Sequence, residues 1–308
     1  MNNKQLPWAK AICYSGFRDG QSPDTGIFPS HDEVKEDLLI LQKEWSALRL
    51  YACDKHAETV LEVIHKEGLP FKVMQGAYIH AEVSNPDCPW GGMHSEAQLK
   101  KNKTFNSEEI DRLVELADRY PDIIDAVSAG NEATVSWTDH MVPVESLLKY
   151  VKRIKANVAQ PVTFCENYAP WLDKLKPVAE ELDIISVHTY PVWEYKTIED
   201  ALEYTIENYH AVAHAYPEKQ VVITEAGWAT NSNGRGIPPH HVNENIQKEY
   251  FHQLTEWAEQ ERVLIYYFEA FDENWKGSDD PLEPEKHWGI YYADRTPKLA
   301  MAQVRMAL

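Results

Sequence analysis

The stretch ALRLYACDKHAETVLEVIHKEGLPFKVMQGA, residues 47–77, decides the fold. Two short runs of apolar and β-branched residues, 47–52 and 71–77, flank a segment in which Ala57, Val60, Leu61 and Ile64 recur at helical spacing. Asp54 can cap that helix and Gly68 can stop it, and only Gly68 and Leu69 stand before Pro70. Strand, helix and strand with so short a return predict a βα unit of a parallel sheet.

The pattern repeats in both directions. Further runs at 11–15, 124–130, 161–165, 184–190, 220–226 and 263–270 bring the expected strands to eight. Ser30 and Glu33 have capping-box spacing ahead of Val34, Leu38 and Leu41. Ser107 is expected to open a helix through Ile110, Leu113, Val114 and Ala117, Pro143 to open another, and 241–260 carries Val242, Ile246, Tyr250, Leu254 and Trp257. Eight such units predict an α/β fold, a single-domain (β/α)8 TIM barrel over residues 1–308. Long segments follow the first, third and eighth strands, at 16–29, 78–106 and 271–289, whereas segments preceding strands are short. Post-strand loops crown the C-terminal face of such a barrel, so the functional mouth is expected there. A doubly wound open sheet would want GxGxxG after its first strand, and Gly16-Phe17-Arg18-Asp19-Gly20 is not that motif.

Composition narrows the partners. With 44% hydrophobic residues the chain can bury a core, and 49 acidic against 30 basic residues give a net charge of −19. That field repels phosphate backbones and anionic membranes, so neither nucleic acid nor membrane is expected as a partner. Cys13, Cys53, Cys88 and Cys165 form no CxxC pair, and His210 and His214 lack a glutamate between them, so no metal is assigned. The N-terminus carries no apolar leader, which reads as cytoplasmic as written, and as periplasmic or secreted if a leader has been removed. A monomer is expected.

Several expected strands end in a carboxylate or an aromatic: Asn131-Glu132, Glu166-Asn167-Tyr168, His188-Thr189-Tyr190, Glu225-Ala226-Gly227-Trp228 and Glu269-Ala270-Phe271-Asp272-Glu273. Aromatic faces stack on the C–H faces of pyranoses while carboxylates accept bonds from hydroxyls, so such a ring suits a sugar. Glycosidic cleavage needs two facing carboxyl groups, which residues after the fourth and seventh strands can supply across the mouth.

The runs VSAGNEA, VVITEAGWA and LRLY, with YYFEAFDENWKGSDDPLEPEKHWGIYYADRTPK at the C-terminal end, together resemble glycoside hydrolase family 17 from about Ala11 to Lys298. Members of that family are cofactor-free βα barrels, β-1,3-glucanases and glucan transglycosylases, that retain anomeric configuration. The resemblance implies that Glu132 is the general acid/base and Glu225 the nucleophile, with Asn131 at the sugar 2-hydroxyl. It also implies that Arg49, Tyr51 and Tyr190 fix the nucleophile and pocket floor. Glu273, Lys276 and Glu285 match a second carboxylate network, and Trp228, Phe271 and Trp275 match substrate platforms.

Plainer roles compete at some positions. Glu166 reads as a sugar ligand or, by preference, a support for its neighbours, and Glu269 as a partner of Arg49 or another buried base. His188 and His287 suit either a sugar contact or a structural bond. Trp45 and Trp257 read as packing, Trp137 and Trp193 as platforms, and Trp90 as either. The function implied is a retaining hydrolase of laminarin-type β-1,3-glucans or oligosaccharides, of exo or oligosaccharide-preferring action, with loop 78–106 closing one end of the cleft. The alternatives are a transglycosylase of the same family, a hydrolase of β-1,6 or β-1,4 glucans, and a non-catalytic glucan-binding protein.

Overall fold

The computed structural model describes residues 4–302. All eight expected runs form strands: β1 (Lys10–Cys13), β2 (Ala47–Leu50), β3 (Lys72–Gly76), β4 (Ile124–Asn131), β5 (Val162–Asn167), β6 (Ile184–His188), β7 (Gln220–Ala226) and β8 (Ile265–Tyr267). They pair in sequence order, all parallel, and β1 closes on β8 through Ala11 opposite Tyr266. The result is a closed (β/α)8 barrel. Its helices are α1 (His31–Leu41), α2 (Lys55–Glu67), α3 (Glu96–Arg119), α4 (Val144–Lys155), α5 (Tyr168–Trp171), α6 (Lys176–Glu181), α7 (Ile198–Ala215) and α8 (Glu244–Glu261). None of the helices among the described residues is long and apolar enough to cross a membrane. All four cysteines are buried free thiols.

Local chemistry fixes the helix ends. Ser30 and Glu33 form a reciprocal capping box on α1, Asp54 accepts from Ala57 N at 3.0 Å, and Gly68 ends α2 at φ 63°, where a side chain would be strained. The third helix departs from expectation. Ser107 lies inside α3, which starts at Glu96 behind a Ser95 cap that accepts from Gln98 N at 3.2 Å. The extra turns were hidden because asparagines, not apolar residues, form their buried face. Asn102 donates to Ala81 O at 2.8 Å, and Asn106 donates to His80 O at 2.9 Å while accepting from His80 N at 2.8 Å. The third loop therefore ends at residue 95, and the first turns of α3 hold its backbone. Glu109 adds a tie to the loop before it, accepting from Cys53 N at 2.7 Å and Tyr78 N at 3.0 Å.

Candidate active site

Two glutamates meet at the C-terminal mouth. Glu225, near the end of β7, is almost fully buried. Its Oε1 accepts from Arg49 Nη1 and, at 3.1 Å, from the Tyr51 hydroxyl; its Oε2 accepts from the Tyr190 hydroxyl at 2.7 Å. Burial pushes this carboxyl up, but the charges of His188 and Arg49 and the hydrogen bonds outweigh it and bring the pKa down to about 2. Glu132 follows β4 directly at φ 43°, a left-handed conformation that glutamate rarely adopts, and its amide donates to Cys165 O at 2.9 Å. It is the more open of the pair, its side chain 24% exposed against 7% for Glu225.

His188, at the end of β6, joins them. Its Nδ1 lies 2.8 Å from Glu132 Oε1 and 3.3 Å from Glu225 Oε2. One atom from each of the three residues lies within 4.8 Å of the others. Burial opposes a charge on this imidazole, yet Glu225 above all, with Cys165 and Glu132 beside it, raises its pKa to about 10. Three such side chains have the spacing to close on a metal ion. The Arg49 guanidinium and a protonated His188 already supply the positive charge the carboxylates call for, so the donor set fits a cation poorly.

The remaining groups frame this centre. Arg49 Nη2 donates to Asn131 Oδ1, and the guanidinium lies 4.3 Å over the Tyr51 ring. The Asn131 carbonyl meets His140 Nε2 at 2.9 Å. A cavity of about 220 Å³ opens beside it between the third and fourth loops, with Tyr78, His80, His94 and Asp139 in its wall. Glu166 holds the turn after Glu132, accepting from Thr134 N at 2.9 Å, Thr134 Oγ1 at 2.7 Å and Asn167 N at 2.8 Å. Burial, with Glu132 nearby, lifts its pKa to about 7.

The profile of the BtgE/BtgC glycoside hydrolase domain matches residues 11–289, nearly the whole barrel with both glutamates inside it. The chain belongs to this glycoside hydrolase family. It is 24% identical over 301 residues to a glucan 1,3-β-glucosidase of Arthroderma benhamiae, covering 92% of this chain and 88% of that protein. Among Aspergillus btgC relatives, probable or putative glucan endo-1,3-β-glucosidases, it spans only about two-fifths of their length (38% in A. clavatus, 40% in A. niger). Its barrel superposes on an endo-laminarinase from Formosa Hel1_33_131 with a TM-score of 0.81 at 26% identity, covering 94% of this chain and 85% of that one. A family 17 β-1,3-glucanosyltransferase from Rhizomucor miehei shares the fold at a TM-score of 0.73 and 22% identity, covering 95% and 96%.

In this glycoside hydrolase a second ionic cluster lies beyond the two glutamates. Lys276 Nζ sits 2.5 Å from Glu269 Oε2 and 2.7 Å from Glu273 Oε2, and the two carboxylates raise its pKa against the effect of burial. Glu273 Oε1 accepts from Phe17 N and Trp275 Nε1, each at 3.2 Å. Burial, offset by Lys276 and reinforced by the charges of Glu132, Glu283 and Glu225, lifts Glu285 to about 7. The buried base that Glu269 pairs with is thus Lys276, not Arg49.

Two expected platforms are corrected. Trp228 is fully buried, donating from Nε1 to His241 O at 2.9 Å and packing on Tyr250 of α8. Phe271 is buried between Tyr14 and Tyr291 with the Arg295 guanidinium 4.4 Å above its ring. Both are walls of the barrel that no sugar face can reach. Trp275 stays half-buried against Phe17, Trp193 is half-buried, and Trp137 and Trp90 are exposed. Sequence reasoning gave His188 no fixed role and passed over Trp288. The signal was present for His188: in His188-Thr189-Tyr190, positions two apart on an extended chain face the same side, and Tyr190 was already placed there. Trp288 is buried against Tyr190, with ring centroids 5.1 Å apart, and its Nε1 has no partner among the described residues.

Proposed function

We propose that this enzyme is a family 17 β-1,3-glucan hydrolase that acts with retention and prefers oligosaccharides or chain ends. The observation that carries the reading is the pair Glu132 and Glu225, with oxygens within 4.8 Å of each other, one carboxylate held ionised and the other open to solvent. So close an approach of two oxygens supports a retaining pair, whose carboxyls stand roughly 5–5.5 Å apart, over an inverting one at about 6.5–9.5 Å.

Glu225 attacks the anomeric carbon and forms a glycosyl ester while Glu132 gives a proton to the departing glycosidic oxygen. The ester removes the Glu225 charge, and Glu132, now ionised, takes a proton from the water that cleaves it. Exposure suits Glu132 to this role, because the departing oxygen and then the incoming water must both reach its carboxyl. Arg49, Tyr51 and Tyr190 hold the nucleophile's two oxygens in fixed directions. Asn131, oriented by Arg49, is offered to the 2-hydroxyl. Every one of these groups comes from one chain, and we propose that it acts as a monomer. Transfer is the second reading, favoured by likeness to a glucanosyltransferase; there a sugar hydroxyl replaces water in the last step.

Laminarihexaose and cellohexaose, followed by chromatography for wild type and Glu225→Ala, test the assignment. Glucose or short β-1,3 oligomers are expected from laminarihexaose with wild type alone, and longer products would reveal transfer. An unchanged laminarihexaose, or an active Glu225→Ala, would remove the linkage or the nucleophile.

A further inference from the structure

Strands β3 and β7 stand opposite one another in the closed ring, with three strands between them either way round. Loops that follow them start on opposite sides of the mouth. Yet Trp90, in the loop after β3, lies with its ring centroid 5.9 Å from the guanidinium carbon of Arg235, in the loop after β7. Both side chains are otherwise open to solvent, and Arg235 makes no ion pair among the described residues.

Each partner is anchored to its own side. The Trp90 loop is bound to the segment after β4: Glu82 N donates to Met141 O at 2.9 Å, and Asn85 Nδ2 donates to Ser136 O at 2.8 Å and Thr138 O at 2.7 Å. The Arg235 loop leans on the loops beside it. Asn233 Nδ2 donates to Asp280 Oδ2 at 3.0 Å, and a Cβ on Gly236 would come within 2.4 Å of the Trp193 ring. Two walls result, one carrying Glu132 and the other Glu225, with Trp90 and Arg235 reaching between them.

We propose that Trp90 and Arg235 form a clasp that joins the two walls and selects which glucans reach the glutamates. Resting on the β-1,3-glucanase reading, it deepens the preference for short substrates by assigning it to two side chains. Chain ends and oligosaccharides enter with the clasp closed. An internal segment of a long chain must be laid between the walls, which requires it to open. An exposed cation–π contact favours the closed form by only about two- to fivefold, so the clasp biases entry and does not forbid it. Left-handed glycines on either side of Arg235, Gly234 at φ 89° and Gly236 at φ 79°, suit a tip that changes direction sharply.

The test is kcat/KM on polymeric laminarin divided by kcat/KM on laminaritriose, with early product lengths, for wild type, Trp90→Ala, Arg235→Ala and Trp90→Phe. Either alanine variant is expected to raise the ratio about two- to fivefold and to broaden the early products, whereas Trp90→Phe keeps the wild-type ratio. An unchanged ratio in both alanine variants overturns the clasp. Loss of activity on both substrates in proportion also overturns it, since that is how a sugar platform or a structural support behaves. If wild type cleaves neither substrate, or Glu225→Ala cleaves both, the underlying reaction is wrong and the clasp falls with it; cleavage that depends on Glu225 with an unmoved ratio sinks the clasp alone.

Discussion

The strongest electrostatic statement about any single side chain concerns Glu225, a buried carboxylate held near 2 by two cations. The charge of His188 is a leading part of that pull, so its removal is a direct measurement of the arrangement. In His188→Gln the Glu225 carboxylate, the proposed nucleophile, loses that positive charge, its pKa rises, and it stays protonated to higher pH. The acid limb of kcat/KM should therefore move up by about 1–3 pH units. A limb at the wild-type position would mean that His188 carries no charge in the working enzyme. Legibility at this scale was uneven for a physical reason. Glu132 and Glu225 stand at strand ends, where local sequence fixes the direction of a side chain, and they could be read. Whether Trp228 or Phe271 faces sugar depends on Tyr250, Tyr14 and Tyr291, which come from elsewhere in the chain.

Elements were legible where burial follows a period and hidden where it does not. The eight strands announced themselves through apolar runs, and α2 through its stripe and its two caps. The start of α3 did not, because Asn102 and Asn106 bury amides that serve the loop backbone. Its true signal was the capping spacing Ser95 to Gln98, a cue like that of Ser30 and Glu33 but without apolar residues behind it. Contact between elements is tight where β7 ends. A Cβ on Gly227 would sit 1.9 Å from Phe268 O, and the two strands are already joined there by Phe268 N donating to Ala226 O at 2.9 Å. Gly227→Ala should cost about 3 kcal/mol, lowering Tm by roughly 4–6 °C and shifting Glu225 with it. A thermal scan that leaves Tm unchanged would contradict that packing.

For the whole molecule, the seam between first and last units is as consequential as the mouth. Asp37 of α1 is fully buried and takes both Arg295 Nε and Nη2 at 2.7 Å, with the Tyr14 hydroxyl at 3.0 Å. Arg295 also donates to Gly16 O at 2.9 Å, so one side chain ties the end of the barrel to the first loop. Arg295→Ala leaves the buried carboxylate with Arg18 as its remaining cation and the Tyr14 hydroxyl as a donor, and about 2–3 kcal/mol should be lost. Denaturant unfolding would read this as a lower midpoint with little change in slope; an unmoved midpoint would mean that the seam is held elsewhere. The barrel also carries a standing cost of about 1–3 kcal/mol at the left-handed backbone of Glu132, the residue proposed above as the acid/base. Asn or Gly would relax that position. Selection for endurance alone therefore draws position 132 away from glutamate, and only selection for turnover holds it there. A lineage freed from the need to cut would drift at this position towards a sturdier, silent lectin.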